Sequence, residues 1–286
     1  MLLYDGVYDL YCYDDAIHSN GKVMISGGTY NISTSDDGIH ADENTAISGG
    51  TVTIRESYEG VEGSSVDISG GKIDITADDD GINAAGGADQ SGAGPRKDSF
   101  ESSADCYINI SGGIITVDAS GDGLDSNGGL MVSGGELYIS GSESSGNGAL
   151  DYGGEAIITG GIVVAAGAGG MAQNFGTDST QGSILMSYPA FSDGTITLKD
   201  EAGKTLASYS PKKSYSCVVI SCPEITTGNT YTVEACGQTS SVTMSSLVYG
   251  NSGSMGGLGS MGGPGNMGGP GNMGDPGGMG KPGGRP

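Results

Sequence analysis

The chain has no tryptophan, only 3 phenylalanines and 2 histidines, and 11 basic residues against 34 acidic ones. The shortage of cations excludes nucleic acid as a partner, because neutralising phosphates needs Lys and Arg in number. A formal net charge of −23 fits instead a solvated surface or one that recruits cations. No stretch approaches the ~18 apolar residues of a membrane-spanning helix. CxxC pairs and metal-type cysteine spacings are also missing. Cys12, Cys106, Cys217, Cys222 and Cys236 read as small buried or half-buried thiols, with one pairing left open among the last three. The N-terminal MLLYDGVYDL lacks the charged region and apolar run of a signal peptide and already reads as the middle of a repeat. An export signal, if used, is expected upstream of it.

Glycine is the residue in excess, with 57 of the 286 positions, against a typical share of about 7%. Together with 14 tyrosines and well-spread Val and Ile, it suits short strands joined by tight turns and suits helices poorly. The length allows one large or two modest domains with a real core.

Self-similarity settles the architecture. SGG or TGG recurs at Ser26, Ser48, Ser69, Ser111, Ser133 and Thr159, at intervals of 22, 21, 42, 22 and 26. The interval of 42 is two periods of 21, one of them occupied by an insertion. Aligned on this period, apolar residues fall into columns: Ile17, Ile39, Val61, Ile82, Leu124, Leu150 and Met171 form one, and Ile25, Ile47, Ile68, Ile110, Val132 and Ile158 another. After the glycines come Tyr30, Val52, Ile73, Ile115, Leu137 and Val163, then Ile32, Ile54, Ile75, Val117, Ile139 and Ala165. Within each unit apolar and polar residues alternate, the period of strands. No unit buries its apolar side chains alone, so coils must stack. The expectation is an all-β, right-handed parallel β-helix of 21–22-residue coils over 1–183. From 184 to 250 a hairpin around Glu201-Ala202-Gly203 and the strands YSCVVIS and TYTVEAC predict a small β-appendage capping the solenoid. From 251 to 286 a six-residue Met-Gly-Gly-Pro repeat is expected to be a disordered tether.

Acidic residues form columns too. Asp15, Asp37, Glu59, Asp80 and Asp122 share one, two residues before the inward apolar column, and Asp14, Asp36 and Asp79 a shorter one. His18, His40, Glu62, Asn83, Asp125 and Asp151 follow the apolar column by one residue and therefore point outward. The first column has inward parity, and a buried row of acids is costly. It is expected at an exposed corner where Gly38, Gly60, Gly81 and Gly123 let the strand bend. Coils stack ~4.8 Å apart, where two carboxylates repel by about 3 kcal/mol at an effective dielectric of ~20. A divalent cation relieves this, and mostly oxygen neighbours favour calcium over a transition metal at the two histidines. The candidate metal ligands are Asp15, Asp36, Asp37, Glu59, Glu62, Asp79, Asp80, Asp122 and Asp125. Three readings stay open: a solvated acidic edge, a structural metal, and a metal that also serves ligand binding. Candidate sugar contacts are the outward Tyr58, Tyr138 and Tyr152, for stacking on neutral glycans, with Asn83 and Asn127 beside the acids.

The DDGIH…ISGGTVTI coil, the GGMAQNFGTDSTQGSI passage, the appendage and the MGGPGN tail together resemble bacterial carbohydrate-binding β-helix proteins, the calcium-containing solenoids of Clostridium-type bacteria. These are similar in shape to polysaccharide lyase family 9. The resemblance covers nearly the whole chain. It implies an extracellular or cell-surface protein, calcium between coils, and affinity for plant cell-wall polysaccharide such as pectic acid or cellulose. The lyases place calcium on an Asp-Asp-x-x-Asp phrase; here DDGIH and DDGIN carry His40 or Asn83 in place of the third acid, and GDGLD lacks the leading one. Lyase chemistry also needs a base. Lys22 and Lys72 lie on other coil faces, whereas Arg96 and Lys97 sit in the 86–105 insertion, which can fold over the acidic face. The expected function is thus a non-catalytic, calcium-dependent carbohydrate-binding protein. A calcium-dependent pectate lyase and a structural spacer or adhesin are the alternatives, and oligomeric state is open.

Overall fold

The computed structural model describes residues 1–85, 103 and 105–250. Among them there is no helix, and the first part of the chain winds into a parallel β-solenoid of about seven coils. Three parallel faces run along it. The first stacks Leu2–Leu3, Lys22–Ile25, 44–47, 65–68, 107–110, 129–132 and 156–158. The second stacks Val7–Tyr11, Thr29–Ser33, Thr51–Glu56, 72–77, 114–119, 136–140 and 162–166. The third is narrow: Ile17–Ser19, 39–41, 61–63, Ile82–Ala84, Leu124–Ser126 and Leu150–Tyr152.

The apolar columns become the core. Ile25, Ile47, Ile68, Ile110, Val132 and Ile158 stack inside, as do the Tyr30 and Ile32 columns, all essentially without exposure. Fully burying each such side chain stabilises by about 1.5–3 kcal/mol. One column differs from expectation: Met171 is exposed, and Ala172 is the residue packed in the core beyond Leu150. The last turn is one residue longer than the period used to align it.

The double glycine has two separate requirements. Its second residue has positive φ throughout (Gly28 92°, Gly71 94°, Gly161 89°), a region costly for residues with a Cβ. The first lies so close to the preceding coil that a Cβ at Gly70 would sit 2.5 Å from the Ser48 carbonyl oxygen.

Tyr107 pairs directly with Ser65. The interval of 42 therefore spans a single step between stacked coils. The expectation that Arg96 and Lys97 cover the acidic face lies outside the described residues, as does the tail from 251 on.

Beyond the last coil, Tyr215–Ser221 pairs antiparallel with 163–167 and with Ser183–Ser192, so backbone partners continue past the final parallel strand. A separate four-stranded antiparallel sheet follows, ordered Thr205–Tyr209, Ile196–Lys199, Thr230–Ala235, Gln238–Thr243. Its core packs on the outer side of the last coil through Val164 and Ala166. All five cysteines are free.

Candidate functional site

Each coil turns from the second face to the third through a short corner, and the acidic column sits there. The corner interrupts strand pairing and strands a backbone N–H that would otherwise meet a carbonyl of the preceding coil. A carboxylate takes that carbonyl's place. Asp37 N donates to Asp15 Oδ1 at 3.2 Å, Glu59 N to Asp37 Oδ1 at 3.2 Å, and Asp122 N to Asp80 Oδ1 at 2.6 Å. Gly148 N donates to Asp122 Oδ1 in the same way.

These bonds explain a departure from expectation: the corner acids are not exposed. Asp37, only 2% exposed, and the buried Asp122 each accept such a bond; Asp36 and Glu59 are buried as well, Glu59 accepting from Asn83 Nδ2 instead. A carboxylate that accepts a backbone N–H tolerates burial that a bare one does not. The glycines after these acids serve coil contact rather than a bend of positive φ. A Cβ at Gly60 would lie 2.3 Å from the Gly81 carbonyl oxygen. The outward column is covered as well, with His40 and Asn83 buried among their column neighbours.

Carboxylate oxygens converge in several groups. Asp37 with Glu59 and Glu62, Asp14 with Asp15 and Asp36, Asp15 with Asp37 and His40, and Asp80 with Asp122 and Asp125 each bring ligand atoms within 4.8 Å of one another. Burial holds the Asp80 carboxyl up at about 9, helped by repulsion from Asp125, Asp122 and Asp79. Asp122 is raised to about 7 by burial and by Asp125, Asp151 and Asp79, against the pull of the Gly148 N–H. Burial likewise raises Asp15 and Asp151, lifts Glu59 well above the carboxylate range with help from Glu62 and Asp37, and brings Glu62 to about 7. Carboxyls raised in this way hold their protons closer to neutral pH than exposed ones do.

The groups differ in access. Asp79, Asp80, Asp122 and Asp125 line a cleft of about 320 Å³, shared with Asn83, Ser126, Asn127, Asn147, Asp151 and Met171. Two features mark this cleft. Gly121 stands where an earlier coil has Asp36, and a Cβ on it would lie 2.3 Å from Asp80 Oδ1 and 2.5 Å from Asp79 Oδ1. Asn83, 5% exposed, donates through Nδ2 to Glu59 Oε2 at 2.8 Å, while its buried Oδ1 has no hydrogen-bond partner. An acceptor buried without a donor costs about 1–3 kcal/mol. Asn83 lines the cleft together with Asp122 and Asp125 of the following coil.

The expected tyrosines do not form a stacking platform. Tyr138 packs against Tyr209 of the appendage, ring centroids 5.5 Å apart, and donates to Glu136 at 3.0 Å. The Tyr152 hydroxyl donates to the Asn174 carbonyl, and its ring packs on the core. Tyr58 is half-buried. Among the described residues the exposed tyrosines are Tyr4, Tyr11 and Tyr13, on the first coil, and Tyr249. Of the polar sugar candidates, Asn83 and Asn127 do line the cleft. Asp151 and Asn147 line it without having been expected, although Asp151 is in register with Asp125 and was readable from the column.

A parallel solenoid with an acidic cleft at its coil corners defines the class of the protein. A family model described as "Carbohydrate-binding domain-containing protein" matches residues 5–94 and 37–252, and the chain belongs to that family. No curated protein and no solved structure matches the chain.

Proposed function

We propose that the protein is a non-catalytic, calcium-dependent binder of acidic plant cell-wall polysaccharide, working at the cleft of Asp80, Asp122 and Asp125. The observation that carries this reading is the unpartnered, buried Oδ1 of Asn83 beside three converging carboxylates. Calcium takes 6–8 oxygens from carboxylates, amide carbonyls and waters, and this donor set is all oxygen. Asp80, Asp122, Asp125 and Asn83 would hold the ion, Asp79 and Asp151 adding negative charge. Asp15, Asp36, Asp37, Glu59 and Glu62 lie outside this set. A cation held there would lie at the cleft, and a uronate carboxylate would supply further oxygens to it. Two negative surfaces otherwise repel, so the ion is what makes a pectic-acid partner compatible with a net charge of −23. Cellulose is less well served, since Tyr138 and Tyr152 are engaged elsewhere. Location at the cell exterior follows from such a ligand.

Affinity electrophoresis in gels containing polygalacturonate or cellulose, with calcium or with chelator, tests the reading. Retardation by polygalacturonate only with calcium is expected. Equal mobility in all gels would contradict it, and release of unsaturated product from polygalacturonate would replace it with the lyase reading.

A further inference from the structure

The outward side of the first coil carries different residues from the coil stacked next to it. On the second face Val7 and Tyr11 stand in register with Thr29 and Ser33, and Tyr13 lies one period of 22 before Ser35. The strand Val7–Tyr11 alternates strictly: Tyr8 and Leu10 pack on the core, while Val7, Asp9 and Tyr11 are exposed. Small neighbours on the next coil leave both aromatic side chains uncovered, Tyr11 at 79% exposure and Tyr13 at 89%. Beside them a polar row crosses the coils. Arg55, bulged out between Ile54 and Glu56, donates from its guanidinium to Asn31 Oδ1 at 3.1 Å, and Asn31 Nδ2 donates to Asp9 Oδ1 at 2.8 Å. The row fixes the Asp9 carboxylate one outward position from Tyr11, and a carboxylate that accepts one bond keeps lone pairs for further donors.

We propose that Tyr11 and Tyr13, with Asp9, form a second carbohydrate subsite, a stacking platform for neutral polysaccharide that needs no metal. A pyranose ring has an apolar C–H face and a rim of hydroxyls. The face stacks on a tyrosine ring, which is apolar in its body and polar at its tip, and a rim hydroxyl donates to Asp9. Charge selects the sugar. Asp9 and Asp14, both exposed, flank the tyrosines and repel a uronate, whereas a neutral β-linked glucan meets no such repulsion. The same acids disfavour a second copy of this chain as the occupant, since a two-fold pairing over the patch sets like charges against one another. This platform lies on the first coil, away from the Asp80 cleft of the later ones, and it serves the neutral chains for which that cleft is poorly built.

Affinity electrophoresis through hydroxyethylcellulose in chelator tests the proposal. The proteins run are wild type, Tyr11→Ala, Tyr13→Ala, the double alanine variant, Tyr11→Trp and the cleft variant Asp125→Asn, each checked for fold by thermal unfolding. Both tyrosine side chains are exposed, so truncating them leaves the core intact. Retardation of wild type is expected, unchanged by calcium and by Asp125→Asn. It should weaken about tenfold in either single alanine variant and persist in Tyr11→Trp, whose larger ring still stacks. Wild type that runs equally fast with and without the polymer would overturn the proposal, as would a folded double alanine variant retarded as strongly as wild type. Sedimentation velocity in which wild type self-associates and the double alanine variant does not would also overturn it, as the sign of an interface between copies. Hydroxyethylcellulose carries no carboxylate and these gels hold no free calcium, so the result stands whether or not polygalacturonate binds at the Asp80 cleft.

Discussion

At the scale of single residues, Asp125 is the most informative. Its charge heads the repulsions that raise Asp80 and Asp122, yet it also belongs to the converging ligand set. Asp125→Asn should therefore raise the melting temperature in chelator and lower calcium affinity at least tenfold, read by calorimetry with and without the ion. A variant that lowered both would show that Asp125 serves packing rather than the ion. Gly121→Ala puts a methyl group against the Asp79 and Asp80 oxygens and should abolish calcium binding while the solenoid remains folded. Much at this scale was readable beforehand: the column of Asp80 and Asp122 follows from the 21–22-residue period alone. The burial of those acids was not, because parity assigns a side to each residue but does not show that a corner N–H awaits a carboxylate. Nor does any spacing reveal that the side-chain oxygen of Asn83 goes without a donor.

At the scale of the coil, the two halves of Gly-Gly act through different physics. Gly70→Ala forces a Cβ into the Ser48 carbonyl of the neighbouring coil, whereas Gly71→Ala asks a side chain to adopt φ near 94°. Both should destabilise by about 1–3 kcal/mol, the first by separating coils and the second by strain. Ile73→Ala, in the middle of a fully buried column, should cost about 2–5 kcal/mol. Urea unfolding of the three variants measures this; a cost below about 1 kcal/mol for Ile73→Ala would show a core able to collapse around the gap. Strand periodicity made these columns legible because every coil repeats the same inward positions. It failed at Met171, where the turn after Tyr152 runs a residue longer and Ala172 packs inside instead. It failed also for Tyr138, since only the fold brings Tyr209 of the appendage over it.

At the scale of the molecule, the corner acids couple stability to pH. Asp80 near 9 and Asp122 and Glu62 near 7 hold protons more tightly folded than unfolded. Between about pH 4 and 9 the folded state then carries more protons, so in chelator stability falls as pH rises. His40 acts in the same direction, its contribution present below 6.5 and lost towards 11. The melting temperature in chelator should decline from pH 5 to pH 9, and added calcium should raise it more at the higher pH, where it no longer competes with protons. A flat profile with no calcium effect would mean that the carboxylates are solvated as freely as in the unfolded chain. The most direct measurement is a two-stage titration calorimetry experiment, first calcium into chelator-treated protein and then an oligogalacturonide into the same cell. Heat from the sugar only after calcium, and its loss in Asp125→Asn, is the predicted result; sugar binding of equal strength without calcium would contradict a bridging ion in the cleft.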